Sequence, residues 1–269
     1  MEMLQDRSGF LVEKHEEHGD VFVSRALVRD LMFVRDPAVV YGINVTHWAD
    51  FYKPDYIKQM WKQFLGNGLV PNDGESWKRQ HKLILPGFHK KRVDAYAPTM
   101  VAFTGRMLDR WQEGEQRDMR LELNALALEV VASTLFDIDI GKEDSRTIRD
   151  AIGDVSEILV QDADNMVPRP DWWPSASNRR KKRAIAKIED IIRRVHQERL
   201  THQKDRGDLF SHMVFVEDEQ GRMSDKQLRD EAMTLIFAGH ETTAHALVWT
   251  WYLLAENPEK VAKLREELE

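Results

Sequence analysis

The sequence predicts a mainly α-helical protein with a small N-terminal β-sheet and one long, central, buried helix. Two apolar runs near the start, Val21–Val23 and Leu31–Val34, have the character of paired strands. After Gly74, apolar residues recur at helical spacing almost to the end of the chain. The longest run, Ser224–Glu256, would span ~45–50 Å as a helix, which exceeds what packing alone requires in a domain of this size.

The 269 residues divide by composition into three segments of a single domain. We expect a β-rich start over 1–45, an irregular aromatic substrate loop over 46–74 and a helical core over 75–269. Asp36 followed by Pro37 predicts the N-cap and first residue of a short helix.

The helical core shows the apolar periodicity of several amphipathic helices. The predicted segments are Glu75–Leu85, Pro98–Glu113, Leu121–Phe136, Ile148–Val160 and Asn178–Thr201. Ser224 and Gln227 form a capping box that fixes the start of the long helix, and Asn257 followed by Pro258 ends it and opens another helix.

The composition excludes several classes of function. The chain carries 39 Lys and Arg against 46 Asp and Glu, so its net charge of −7 gives no support for nucleic-acid binding. It contains no cysteine, which excludes disulfides and thiolate-bound metals within these residues. We find no signal peptide and no membrane span, and therefore expect a soluble chain.

The middle of the long helix, Ala238–Thr243, combines a glycine with polar residues where an apolar helix interior is expected. A buried Glu241 is costly unless it is paired or hydrated. Taken singly, each residue is best explained by a mild kink with side chains bonded to their own backbone. Taken together, they favour a ligand that crosses the helix at a gap left by Gly239.

A zinc site of the His-Glu-x-x-His type is rejected. That motif needs histidines four residues apart on one helical face, but His245 follows His240 by five residues. The two rings would point about 140° apart.

A second candidate is the pair Trp77 and His81, four residues apart on one helical face. The indole and the imidazole can both donate hydrogen bonds to an anion, and Arg79 and Lys82 add positive charge nearby. Viewed alone, this segment is better explained as an ordinary amphipathic helix end.

Two weaker patterns have simpler explanations. The basic run Arg179–Arg183 precedes a helix with an isoleucine-rich face, so a solvated helix start is favoured over a nucleic-acid contact. The segment Asp137–Gly141 resembles the start of a calcium loop, but the remaining ligands are misplaced.

In chain order, these segments resemble the cytochrome P-450 superfamily of haem-thiolate monooxygenases. Ala238–Thr243 is similar to the family's oxygen-activation motif, Ala/Gly-Gly-x-Asp/Glu-Thr-Thr/Ser. Trp77 and His81 are similar to its propionate-binding pair, with His where Arg is commoner. Three shorter segments also fall in the family's order: Leu65–Leu69, Leu85–Phe88 and Asp208–Phe210.

The resemblance implies a haem b cofactor, NAD(P)H-derived electrons delivered by a reductase or ferredoxin, and hydroxylation of a small apolar substrate with O2. It also implies a cytoplasmic protein of the soluble type. The aromatic segment Trp48–Leu69 and the segment Val160–Trp173 would roof the substrate pocket. The implied site residues are Glu241 and Thr242 for catalysis, Trp77, His81, Ala238 and Gly239 for the cofactor, and Phe237, Ala238 and Thr242 for the substrate pocket.

The resemblance covers the N-terminal ~60% of the family's catalytic domain and lacks the loop whose cysteine binds iron. We therefore expect a C-terminally truncated fragment that is inactive alone and offers no metal ligand. Two alternatives stay open: a non-catalytic helical fragment that binds no haem, and an unrelated helical binding protein.

Overall fold

The computed structural model describes residues 6–26, 29–137, 142–164, 173–203 and 205–269. Its contacts divide the chain into two compact units, Met1–Pro54 and Asp55–Glu269, and each unit is described by itself. The described residues are mainly α-helical, with a small antiparallel sheet near the N-terminus. The predicted fold class is therefore confirmed.

The first unit contains the predicted hairpin, preceded by a helix that the sequence did not predict. Its elements are α1 (Arg7–His18), β1 (Val21–Ala26), β2 (Arg29–Val34) and α2 (Pro37–Tyr41). The strands pair antiparallel with Phe22 opposite Phe33, and their rings stack with centroids 5.0 Å apart. Phe22 also contacts His15 of α1, so the helix packs on the hairpin.

The helix α2 begins as predicted. The Asp36 carboxylate accepts hydrogen bonds from the backbone N–H groups of Ala38 and Val39, at 2.7 and 3.0 Å. Pro37 occupies the first turn, where its missing N–H has no partner to lose. A π turn, Gly42–Thr46, and a 3-10 turn, Trp48–Asp50, follow.

The second unit begins with a helix inside the segment predicted to be an irregular loop. This helix, α3, covers Asp55–Leu65. Ile57, Trp61 and Phe64 recur at helical spacing, so the aromatic residues that suggested a loop form an apolar helix face instead. The expectation of an irregular segment over 46–74 was therefore wrong for these eleven residues.

The predicted helical segments are present, with most ends within two residues. Lys142–Asp164 starts six residues before the predicted segment and ends four after it, and Ala97–Leu108 ends five residues before the predicted end. The helices Lys90–Ala95 and Leu209–Phe215 were not predicted. The second unit continues with α4 (Gly74–Ile84), α5 (Lys90–Ala95), α6 (Ala97–Leu108), α7 (Met119–Phe136), α8 (Lys142–Asp164), α9 (Ala176–His202), α10 (Leu209–Phe215), β3 (Glu217–Asp218), β4 (Gly221–Arg222), α11 (Asp225–Glu256) and α12 (Pro258–Leu268). Strands β3 and β4 form a short antiparallel hairpin.

The core of the second unit lies between α11 and the helices packed along it. Helix α11 packs along α7, and α8 packs along α9. Fully buried side chains from these helices and α10 form one cluster, which includes Leu128, Val155, Ile188, Phe210 and Ala232. Each large apolar side chain buried in this way contributes ~1.5–3 kcal/mol to stability.

The burial of α11 is confined to its first two thirds. Its buried residues run from Leu228 to Ala244. Beyond them, large side chains are exposed, with Trp249 at 62% and Leu253 at 57%. Among the described residues, no helix combines the length and the apolar character that crossing a membrane requires.

Candidate functional site

The long helix α11 carries the central candidate residues, and its register is fixed at its start. Ser224 Oγ accepts a hydrogen bond from Gln227 N at 3.2 Å, as the predicted capping box requires. From this cap, the helix places Ala238–Thr243 four turns into its length, between a buried and an exposed face.

Ala238 and Thr242 share the exposed face of α11. They lie one turn apart, and Thr242 Oγ1 donates a hydrogen bond to the Ala238 carbonyl oxygen at 2.5 Å. Thr134, Thr234 and Thr250 make the same bond to the carbonyl four residues earlier. The bond is therefore ordinary helix behaviour. Exposure separates Thr242 from the buried Thr134 and Thr234, but Thr250 and Ala246 form a second exposed Thr–Ala pair on α11.

Gly239 lies on a different face. A Cβ placed on Gly239 would stand 3.0 Å from Val131 Cγ2 of α7. The gap that this glycine leaves is therefore filled by Val131, and it allows α7 and α11 to approach closely. The exposed position is its neighbour Ala238, and the expectation that a ligand crosses the helix at Gly239 stays a prediction.

Glu241 is half-buried and directed at the neighbouring helix α8. Its Oε2 accepts a hydrogen bond from Ser156 Oγ at 3.0 Å. The cost of placing a carboxylate inside the protein is thus partly offset by a partner that the sequence did not reveal. Ser156 has no motif around it, so only the packing of α8 on α11 identifies it.

His240 is buried and neutral. Its side chain is 3% exposed, and burial lowers its pKa to about 4. The Asn124 backbone lies close, but neither ring nitrogen completes a hydrogen bond within the described part of the chain. His245 is exposed, so the two histidines do not face a common point, in agreement with the rejection of a zinc site.

Trp77 and His81 lie on one face of α4. Their rings stack with centroids 4.9 Å apart and planes 22° apart; Trp77 is half-buried and His81 is exposed. Arg79 does not add free positive charge beside them, as the sequence had suggested. Its guanidinium makes two hydrogen bonds to the Asp218 carboxylate, at 2.8 and 2.9 Å, and these bonds raise the pKa of Arg79 and lower that of Asp218.

Phe237 contacts the aromatic face of α3. Its ring meets Trp61 and Phe64 edge to face, with centroids 5.3 Å apart in both pairs. Two residues of the aromatic segment Trp48–Leu69 therefore contact Phe237, which directly precedes Ala238. The predicted second roof, Val160–Trp173, lies mostly outside the described residues.

The basic run Arg179–Arg183 and the calcium-like segment Asp137–Gly141 were the two weaker sequence patterns. Arg180 pairs with Asp154 and Glu157, as expected of a solvated helix start. Lys181 departs from that expectation because it is 1% exposed and donates to Gln63 Oε1 at 2.5 Å. Of the calcium-like segment, residues 138–141 lie outside the described residues.

Sequence reasoning missed two buried carboxylates on α11, Asp230 and Glu231. They accept hydrogen bonds from the backbone of Asn67 and Leu69, at 2.8 and 3.0 Å. The available signal was the Gly-Asn-Gly sequence at 66–68, which entered the sequence analysis only as part of Leu65–Leu69, a segment in the family's order. The contact across more than 160 residues is visible only in the fold.

The chain is helical, its long helix exposes an Ala–Thr pair, and a second helix carries a stacked Trp–His pair; these are the features that suggested a haem monooxygenase. The family model described as Cytochrome P450 matches residues 3–269, and the chain belongs to this family. The family's cofactor is haem, supplied with electrons by a reductase partner.

Three relatives illustrate the similarity. Cyclooctatin synthase of Streptomyces melanosporofaciens is 32% identical over 256 residues, which cover 94% of this chain and 55% of that protein. Protein LUTEIN DEFICIENT 5, chloroplastic, of Arabidopsis thaliana is 29% identical over 96% of this chain and 47% of its own length. Cyclooctat-9-en-7-ol 5-monooxygenase of S. melanosporofaciens is 30% identical over 77% of this chain and 46% of its own length. The chain spans about half the length of the curated relatives it matches.

Proposed function

We propose that this chain forms the oxygen-activation half of the active site of a haem-dependent monooxygenase that hydroxylates a small apolar substrate. The observation that carries the proposal is the pair Ala238 and Thr242, exposed together on one face of α11, while the intervening Gly239 packs on α7 and Glu241 bonds to α8. The family match over residues 3–269 supports it, and so does the relative that is itself named a monooxygenase.

The residues fit a flat, largely apolar cofactor with anionic edges. Ala238 has only a methyl group, so a planar ring system can approach the exposed face of α11 there. Trp77 and His81 carry N–H groups on one face of α4 and would donate to a haem propionate. When bound, haem supplies O2 activation with electrons from a reductase or ferredoxin.

Thr242 and Glu241 would accept hydrogen bonds and deliver protons beside that face. The Thr242 hydroxyl proton is directed to the Ala238 carbonyl oxygen, so the lone pairs of the hydroxyl face outward as acceptors. Glu241 is half-buried and bonded to Ser156, and it would deliver protons after rotating away from that serine.

The substrate pocket would be apolar and aromatic. Phe237 directly precedes Ala238 and is in contact with Trp61 and Phe64. Phe237 and Trp61 are half-buried and offer apolar surface next to the proposed cofactor face, and the buried Phe64 supports the Phe237 ring. They favour a hydrocarbon-like substrate over a charged one, because a charge would lose its hydration there.

The thiolate that the family uses to hold iron cannot come from these residues, since none of the 269 is cysteine. We therefore assign catalysis to a protein that contains this chain together with a cysteine loop. The alternative is a helical chain that binds no haem, and the lack of cysteine is the observation in its favour.

A haem titration of two proteins tests the proposal. One is the 269-residue chain, and the other joins it to the C-terminal part of a family member that carries the cysteine loop. The joined protein should bind haem stoichiometrically, and its reduced form with carbon monoxide should show the red-shifted Soret band of thiolate ligation. Failure of the joined protein to bind haem, although folded, would favour the alternative.

A further inference from the structure

The loop 66–69 is fastened to the N-terminal half of α11 by two neighbouring carboxylates. Asp230 Oδ2 accepts from Asn67 N at 2.8 Å, and Glu231 Oε2 accepts from Leu69 N at 3.0 Å. The approach is so close that a Cβ on Gly68 would stand 2.6 Å from the Asp230 carbonyl oxygen. The loop is therefore held through its backbone, and its attachment depends on the state of the two carboxyl groups.

The two carboxyl groups have different surroundings. Asp230 is compensated by cations, because Arg229 Nη1 donates to its Oδ1 at 2.8 Å and Lys226 Nζ lies 3.8 Å from its Oδ2. Glu231 is completely buried, and its Oε1 has no hydrogen-bond partner among the residues that the structure describes. An ionised Glu231 would leave a charged oxygen unpaired inside the protein, which is strongly unfavourable.

Burial is the largest cause that raises the pKa of Glu231, to about 7. The Leu69 N–H opposes this shift, and the neighbouring charge of Asp230 adds to it. Loop 66–69 contributes no titratable side chain, and α4 contributes the neutral amide of Gln80, which donates to Asn67 O at 3.0 Å. The charge that α9 contributes nearby, Glu189, is paired with Arg229 at 2.7 Å.

The loop also lies on the functional side of the helix. Glu231 precedes Ala238 by seven residues, so the two share a helical face about two turns, or ~10 Å, apart. At its other side, Asn67 is bonded to Gln80, which belongs to the same helix as Trp77 and His81. A change in the position of the loop would therefore affect both candidate segments.

We propose that Glu231 is a positioning residue whose neutral carboxyl clasps loop 66–69 onto α11, and that the clasp loosens when this carboxyl loses its proton. The neutral group keeps a carbonyl oxygen as acceptor for Leu69 and removes the unpaired buried charge. Protons bind more tightly to the clasped state than to an open, hydrated one, so the clasp is strongest at acidic pH and weakens as the pH rises through about 7. The clasp involves only residues of this chain, so it can be tested without haem, and its failure would not bear on haem binding.

Hydrogen exchange of the Leu69 amide in the 269-residue chain tests the clasp directly. After correction for intrinsic exchange, its protection should fall about tenfold between about pH 5.5 and about pH 7.5. Glu231→Gln has the shape of the neutral acid and does not titrate, so its Leu69 protection should stay level. Glu256→Gln, the same substitution at an exposed position of the same helix, should follow the parent chain.

Two further measurements separate the clasp from general unfolding. The amide of Ile188, in the core of α9, should stay protected at both pH values while Leu69 changes. Gly68→Ala displaces the loop without altering a titratable group and should expose Leu69 at both pH values. The proposal is overturned by level Leu69 protection in the parent, by a parent-like profile in Glu231→Gln, by equal loss at Ile188, or by a protected Leu69 in Gly68→Ala.

Discussion

Arg199 and Asp208 meet at 3.5 Å where both side chains are almost fully buried, at 1% and 3% exposed. Arg199 also donates to Ser211 Oγ at 3.0 Å and to the Phe136 carbonyl oxygen at 2.5 Å. Asp208 caps α10 by accepting from Ser211 N at 2.7 Å. The pair therefore joins the ends of α7 and α9 to the start of α10, and it gives a structural role to the Asp208–Phe210 segment.

Asp208→Asn should destabilise the second unit strongly. Asparagine can still cap α10, so the substitution isolates the loss of the charge that faces Arg199. Leaving a buried cation without its partner costs ~3–5 kcal/mol, measured as the free energy of unfolding in urea. Asp190→Asn removes the partner of Arg193 at the surface, where both side chains are 68% exposed, and should cost less than ~1 kcal/mol. Equal losses in the two variants would contradict a structural role for the buried pair.

His240 should make the protein sensitive to acid. Burial lowers its pKa to about 4 from an ordinary value of 6.5. Its contribution to stability is therefore complete above pH 6.5 and is lost as the pH falls toward about 4. In the parent chain, the free energy of unfolding should fall between pH 7.5 and pH 5. In His240→Leu, this fall should be smaller by ~1–2 kcal/mol.

The matched control for His240 is His245→Leu, five residues further along α11 at an exposed position. It should keep the acid sensitivity of the parent chain. Glu231 acts in the opposite direction, because its raised pKa stabilises the folded chain as the pH falls below about 7. The measurement is therefore best repeated in the Glu231→Gln background, and an unchanged pH slope in His240→Leu would show that His240 is not the sensor.

Trp77 and His81 should hold a haem propionate in a protein that joins this chain to a cysteine loop. Trp77→Phe and His81→Phe each remove one N–H donor and should weaken haem retention by ~1.5–3 kcal/mol, measured by transfer of haem to an acceptor protein. Lys78→Ala is the control, since Lys78 lies on the same helix but pairs with Glu75 at 2.8 Å on the surface. If both variants retained haem as tightly as the parent, Trp77 and His81 would have only a packing role.

The 269-residue chain alone should not form thiolate-ligated haem, because it contains no cysteine. When it is reduced and exposed to carbon monoxide in the presence of haem, the red-shifted Soret band should be absent. The protein that carries a cysteine loop is the positive control. A red-shifted band from the 269 residues would mean that another ligand reproduces the effect of a thiolate.

Much of the fold follows from local rules. The caps at Asp36 and Ser224 were predicted correctly because each depends on a side chain and a backbone group only two or three residues away. The hairpin that pairs Phe22 with Phe33 was predicted from two apolar runs separated by a polar connector. Because these signals are local in sequence, the caps and the hairpin can be predicted from one sequence alone.

The remaining features depend on which helix packs against which. Gly239 was interpreted as a gap for a ligand because Val131, more than 100 residues earlier, could not be placed beside it. Lys181 was expected in solvent because its contact with Gln63 is equally distant in sequence. Ser156 and Glu231 could not be identified as site residues for the same reason, since their partners Glu241 and Leu69 are brought to them only by the fold.

We propose that Thr242 takes part in proton delivery at the exposed face of α11. Thr242→Ala should fold and retain haem, because an exposed hydroxyl is replaced by a methyl-sized side chain. Thr243→Ala is the matched control, since the next residue lies about 100° further round the helix. Both substitutions should be made in the protein that carries a cysteine loop, with a substrate that it hydroxylates.

The deciding measurement is the amount of product and of hydrogen peroxide formed per reductant consumed. In Thr242→Ala, reductant should still be consumed, but more should emerge as hydrogen peroxide and less as hydroxylated product, because ordered proton delivery is lost. Thr243→Ala should stay close to the parent protein. Coupling in Thr242→Ala equal to that of the parent would contradict the account, and uncoupling in Thr243→Ala alone would move the site to the neighbouring residue.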